Sequence, residues 1–222
     1  MERFRNLGKD LGKLVELETR SHLFINPPDS YLEHNAGKSP VILIPGLLES
    51  WGVLRTIGDW VSAQSHDVWT VPELGKNNIY DIKKAAGIVE DIIDRNGLCN
   101  AVLITHSKGG LIGKQILIDG LAEKMFAIAT PFSGSGPARW VPYGPVKEVS
   151  SKSRIVKSLN EETEANSKII SLFFRHDRLI PRGCYLEGAL DNIPIKGEGH
   201  FTILEHPEVI AKIILYLWAW EQ

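Results

Sequence analysis

Short apolar runs alternate with helix-length amphipathic segments along most of this 222-residue chain, and that alternation restricts the fold more than any other feature. Residues 41–44 (VILI) form a β-branched run ended by Pro45 and Gly46, which fits a buried strand entering a loop. A helix is expected from about Val53, and a second strand at residues 68–71 (VWTV), stopped by Pro72. Ile82, Ala86, Val89 and Ile93 recur at steps of four and three, giving one apolar helix face that Asn96 and Gly97 terminate. Residues 101–105 (AVLIT), 125–129 (MFAIA) and 169–174 (IISLFF) predict further strands, with a weaker one at 193–195. Helices are expected after Gly109, where Ile112, Ile116 and Leu117 are in phase, and near the end, where Ile210, Ile213, Ile214 and Leu217 recur. Strands separated by helices of about 10–15 residues require right-handed crossovers. The expected fold class is therefore α/β: a mostly parallel, doubly wound sheet with helices on both faces. In such sheets functional groups collect just beyond the carboxyl ends of the strands.

The pattern weakens over residues 131–166, where PFSGSGPARWVPYGP mixes turn residues with Phe132, Trp140 and Tyr143. This reads as a short cap-like insertion. No repeat, linker or low-complexity segment marks a boundary, so residues 1–222 are expected to form a single domain. Within about residues 1–20, Phe4, Leu7, Leu11, Leu14 and Val15 lie at helical spacing. They predict an N-terminal helical extension packed on that domain, to which no function is assigned. A formal charge of −2, with 23% charged and 43% hydrophobic residues, gives no general attraction to nucleic acid. The charged start lacks a signal-like apolar stretch, and no run of about 18 apolar residues follows, so a cytoplasmic chain without a transmembrane segment is expected. Cys99 and Cys184 lie far apart without CxxC spacing and are expected to be free thiols.

Ser107 stands at the end of the strand expected at 101–105 and just before a helix, in ITHSKGG. A serine at the tip of a strand–turn–helix crossing is presented outward only if its neighbours are small. Gly109 and Gly110 are small, whereas Thr105 occupies the position that glycine takes in GxSxG. A serine hydroxyl needs a base to remove its proton, usually a histidine oriented by a carboxylate. Of seven histidines, His200 in KGEGHF lies in a glycine-flanked loop between the last strand and the closing helix, where such a base belongs. His206 precedes Pro207 and suits a helix start. His106 adjoins the serine, but strand alternation turns its side chain elsewhere, so it reads as structural. Asp177, in FFRHDRLIP, fits a strand-end loop and is the candidate orienting acid. Asp191 lies before the last strand, and Glu198 is too near His200 to reach round it. An oxyanion site also needs backbone N–H groups: Lys108, just after the serine, and Leu47 in IPGLLES, with Leu48 the less favoured neighbour.

With these residues in place, the chain resembles the α/β-hydrolase superfamily, in particular its small lipase and esterase branch. IPGLLES, THSKGG, ATPFSGSG, DRLIP and GEGH follow one another as the corresponding segments do there, over nearly the whole length. The resemblance implies the α/β-hydrolase fold, a triad of Ser107, Asp177 and His200 in that chain order, and cleavage of carboxylic esters through an acyl-enzyme. It implies a small-molecule ester or lipid as substrate, with no cofactor and no metal. Leu48, Phe132, Trp140, Val141 and Tyr143 are the expected substrate-pocket residues. Three positions depart from the usual pattern: Thr105 for glycine, Phe132 where histidine is common, and Lys108 where an apolar residue is usual. The last is a candidate for altering how an acidic substrate or product is received. An acyltransferase or thioesterase using the same triad, and a noncatalytic ligand-binding protein on this scaffold, are the alternatives.

Overall fold

The computed structural model describes residues 8, 10, 12–19, 26–33, 37–75 and 78–221. Phe4, Leu7 and Leu11 of the expected N-terminal helix lie outside these residues. Asp10 and residues 12–19 are helical, and Leu17 is buried against the domain.

A six-stranded sheet, parallel throughout, runs in the order β2-β1-β3-β4-β5-β6. Its strands are β1 (Val41–Ile44), β2 (Val68–Thr70), β3 (Val102–His106), β4 (Lys124–Ile128), β5 (Ile169–His176) and β6 (Asp191–Glu198). The helices are α1 (Arg55–Ser62), α2 (Ile82–Asn96), α3 (Lys108–Ile118), α4 (Gly144–Glu148), α5 (Arg154–Glu161) and α6 (Pro207–Trp220), with shorter 3-10 turns between them. Alternation along the strands divides the core into two layers. Ile42, Ile44, Leu103, Met125 and Ala127 face α2 and α3. Val41, Leu43, Ile104, Phe126 and Ile128 face α1 and α6 through Ile57, Val61, Val209 and Ile213.

Local chemistry sets the helix ends. Asp81 caps α2 by accepting the Lys84 N–H at 2.8 Å, and Gly97 closes it in the left-handed conformation, with φ 60° and ψ 39°. Pro207 occupies the first turn of α6, as its position after His206 implied. Residues 131–166 link β4 to β5. Within them, α5 buries Val156 and Leu159 in the α2–α3 core layer, so this part of the segment is a packed crossover, while residues 140–147 lie half-buried or exposed. The weak sequence pattern reflects two short helices separated by turns. The last strand, β6, is longer than the run at 193–195, because its two ends carry polar residues and glycine that give no apolar signal.

Candidate active site

Ser107 sits between β3 and α3 with φ 50° and ψ −120°, a backbone conformation that a side chain adopts only under constraint. Two hydrogen bonds hold the turn: Ser107 N–H donates to Ile128 O at 2.9 Å, and Gly110 N–H donates to Ser107 O at 3.1 Å. The glycines that follow permit close approach. A Cβ at Gly109 would strike the backbone oxygens of Ile44 and Pro45, and one at Gly110 would strike the side chain of Thr130. The first turn of α3 therefore rests directly on the exit of β1. Thr105 is accommodated without a gap: its hydroxyl donates to Phe126 O at 3.1 Å, and its methyl faces α3 at Gly113, where the helix has no side chain. A glycine in the helix replaces the glycine absent from the strand.

His200 Nε2 lies 2.9 Å from Ser107 Oγ, and His200 Nδ1 lies 2.6 Å from Asp177 Oδ2. A carboxylate only accepts, so the Nδ1–H donates to Asp177 and Nε2 is left to accept from the serine hydroxyl. Asp177 Oδ1 accepts the N–H groups of Leu179 at 2.8 Å and Ile180 at 2.9 Å, which fixes the carboxylate at the end of β5. Burial works against ionisation of Asp177. The neighbouring His200, its hydrogen bond and the two N–H donors outweigh it and hold the carboxyl below the ordinary range. Burial likewise opposes charge on His200, yet Asp177, with Glu49 and Asp10 beyond it, raises the imidazole above its usual value. The arrangement can move a proton from Ser107 to His200 and stabilise the resulting imidazolium.

Leu47 and Leu48 form the turn after β1, Leu48 at φ 61° and nearly half exposed. The register Ile44↔Thr105 brings this turn and the Ser107 turn to the same, carboxyl-terminal end of the strands. The expected substrate-pocket residues differ in exposure. Phe132 is buried in the core layer, whereas Trp140, Val141 and Tyr143 are exposed, Trp140 at 76% beneath the Arg139 guanidinium. The Lys108 side chain is turned inward. It is fully buried, donates to the carbonyls of Asn78 (3.3 Å) and Tyr80, and pairs with Glu148 at 3.7 Å, so it is not placed to receive an acidic substrate. Two weaker acid candidates have other roles: Asp191 accepts from Tyr216 Oη at 2.6 Å, and Glu198 ends β6 with its carbonyl accepting from Thr202 Oγ1.

Two carboxylates beneath the site were not identified from sequence. Glu49 accepts the Gly46 N–H at 2.7 Å and lies 2.8 Å from His106 Nδ1, while His106 Nε2 donates to the backbone oxygen of His200 at 3.0 Å. His106 is thus structural, as alternation implied, but what it supports is the His200 loop. The signal available was a lone acid in the apolar loop IPGLLES. Asp10 accepts the backbone N–H groups of His200, Phe201 and Thr202 at 2.9, 2.9 and 3.4 Å, and nothing in its charged surroundings marked it. Among the described residues, no group of three or more His, Cys, Asp or Glu is placed to hold a metal ion, and no helix is long and apolar enough to cross a membrane.

The sequence matches no family model and no curated protein. The structure does resemble solved ones. The mature form of the Bacillus licheniformis lipase BlEst2 superposes with a TM-score of 0.65 at 15% identity, over 86% of this chain and 96% of that one. A monoacylglycerol lipase of Paleococcus ferrophilus gives 0.58 at 17% identity, covering 81% and 95%. Est1E from Butyrivibrio proteoclasticus gives 0.60 at 12% identity, covering 83% and 90%. Likeness at this level of identity concerns architecture. With the parallel sheet order and the strained turn after β3, it shows that this chain has the α/β-hydrolase fold.

Proposed function

We propose that the protein is a serine hydrolase that cleaves uncharged carboxylic esters through an acyl-enzyme. The observation that carries this reading is the continuous relay Ser107–His200–Asp177, at 2.9 and 2.6 Å, mounted on a strained serine turn. A surface serine has no need of such a backbone or of a buried histidine–carboxylate pair. In the proposed reaction, Ser107 Oγ attacks the ester carbonyl while His200 Nε2 takes its proton. The N–H groups of Lys108 and Leu47 receive the oxyanion, and His200 returns the proton to the departing alcohol. Water, deprotonated by His200, then releases the acid. Asp177 holds the Nδ1–H form throughout. Structural similarity to lipases and esterases supports the reaction class. An uncharged acyl group fits a site where the amine of Lys108 is held inside by Glu148 and two carbonyls.

The test is hydrolysis of p-nitrophenyl esters from acetate to palmitate, with intact mass after exposure to a fluorophosphonate. The expected result is turnover and a single adduct in the wild type, both absent in Ser107→Ala. A folded wild type that neither turns over nor labels would refute the proposal.

A further inference from the structure

The N-terminal helix reaches both loops that flank the relay. Asp10, itself buried, accepts from the backbone N–H of His200 through both carboxylate oxygens, at 2.9 and 2.8 Å, and from Phe201 at 2.9 Å. Three residues on, Lys13 pairs with Glu205 at the far end of the same loop. Glu18 turns to the other loop, accepting from Ser50 N–H at 2.8 Å and Ser50 Oγ at 3.1 Å, just after the Leu47–Leu48 turn. Leu17, at 2% exposure, anchors the helix between them. The backbone of His200 is thereby held at both ends of its peptide units: its N–H by Asp10 and its oxygen by His106 Nε2.

On the reading of Ser107, His200 and Asp177 as a catalytic relay, we propose that Asp10 is a positioning residue for His200, and that the N-terminal helix sets the histidine loop against the loop after β1. The physical requirement is specific. Buried N–H groups of consecutive residues must find acceptors, and a carboxylate satisfies several at once with charge-assisted bonds. Without Asp10 the loop rearranges to satisfy them, and the imidazole moves with its own backbone. Gly199, with φ 110°, lets the chain turn so that these N–H groups converge on one point. A side chain there would meet Asp10 and Thr202. Reaction geometry is sensitive to this: a displacement of about 1 Å in a reacting group costs about a hundredfold in rate.

The experiment compares the wild type with Asp10→Ala and Asp10→Asn by kcat and KM on p-nitrophenyl butyrate, thermal unfolding, and proton NMR of the His200 ring. Asp10→Ala is expected to lower kcat by about 10- to 100-fold with KM nearly unchanged. Asp10→Asn, whose amide oxygen still accepts, is expected to lose less. Both variants remove the Asp10 charge, one of those that raise His200, so the titration shifts whatever the residue's role, and positioning is read from the low-field signal of the Nδ1–H that His200 donates to Asp177. That signal is expected to move or broaden in Asp10→Ala and to stay near its wild-type place in Asp10→Asn. A purely stabilising helix would move the unfolding midpoint and leave both the signal and the kcat of the folded protein in place. Unchanged kcat in both variants, or a fall in kcat with the Nδ1–H signal of both variants as in the wild type, overturns the proposal. A wild type without turnover or labelling removes the hydrolase reading instead. In that case the Nδ1–H signal of Asp10→Ala supports positioning if it changes while that of Asp10→Asn does not, and overturns it otherwise.

Discussion

Asp177→Asn is the substitution whose effect the geometry fixes most closely. The two side chains are isosteric, so packing is retained and the change is one of hydrogen bonding. Asp177 Oδ1 accepts from Leu179 and Ile180 N–H, whereas Oδ2 faces His200 Nδ1 at 2.6 Å. An amide has one acceptor oxygen. If that oxygen stays with the two N–H groups, its NH2 faces His200 and forces the tautomer with the proton on Nε2, which cannot accept from Ser107. Turning the amide over places NH2 against two N–H donors and costs about 2–3 kcal/mol. The imidazolium also loses a charge-assisted bond of about 1.5–3 kcal/mol. Together these predict a loss of about 3.5–6 kcal/mol in transition-state stabilisation, or about 400- to 20,000-fold in kcat/KM. The assay is kcat/KM on p-nitrophenyl butyrate with the rate of fluorophosphonate labelling, alongside a thermal scan to confirm folding. A folded variant retaining more than a tenth of wild-type kcat/KM would refute the reasoning.

The raised His200 and lowered Asp177 give opposite signs for rate and stability. His200 must be unprotonated to act as base, so the ester rate should climb with pH through a midpoint above 6.5, and a rate already maximal at pH 6 would contradict this. His200's contribution to stability is complete below pH 6.5 and is lost as pH rises through its folded value. Asp177's is complete above pH 3.8 and is lost as pH falls through its lower folded value. Urea unfolding of wild type and His200→Gln from pH 5 to 9 should show the His200 slope disappear in the variant. A second prediction concerns Lys114, fully buried on α3 with no partner for Nζ among the described residues. Burial pushes its amine down to about 8, with only Glu162 acting in the opposite direction. Lys114→Met should raise stability at pH 7 by about 2–3 kcal/mol, a gain that shrinks as pH rises from 8 towards 10.5. Equal or lower stability by urea unfolding at pH 7 would count against a buried, unpaired amine.

What was legible in the chain was whatever a short window encodes. VILI, AVLIT and MFAIA lie in strands, within one residue at each end, because short apolar runs bounded by glycine, proline or polar turns have few other solutions, and their register places Ser107 at a strand end. Ser107, Asp177 and His200 could be singled out as candidates because each occupies a particular local setting: a crowded turn, a strand-end loop, a glycine-flanked loop. Boundaries were less visible. His106 belongs to β3, because its N-terminal neighbours do not reveal where pairing with β4 stops. Lys108 misled, because a lysine beside a nucleophile suggests a charged surface, whereas its partners Asn78, Tyr80 and Glu148 come from two distant segments. Glu49 was missed because its histidine partner, His106, lies 57 residues on, and Asp10 because its donors lie at the other end of the fold. A buried carboxylate is defined by the N–H groups that converge on it, and those of Asp10 lie 190 and 191 residues away.

That separation also bears on how the molecule is made. The contact between Asp10 and His200 closes a loop of 190 residues, among the longest this chain permits. Non-local closures of this kind are slow to form and weight a fold towards high contact order. During synthesis at about 5–20 residues per second, Asp10 emerges about 10–40 s before the loop that donates to it exists. The N-terminal helix can pack Leu17 and meet Ser50 through Glu18 early, but Asp10 must wait for the turn at His200. Assembly of the relay is then the closing event of folding, and recovery of Ser107 reactivity after dilution from denaturant should lag behind recovery of the sheet.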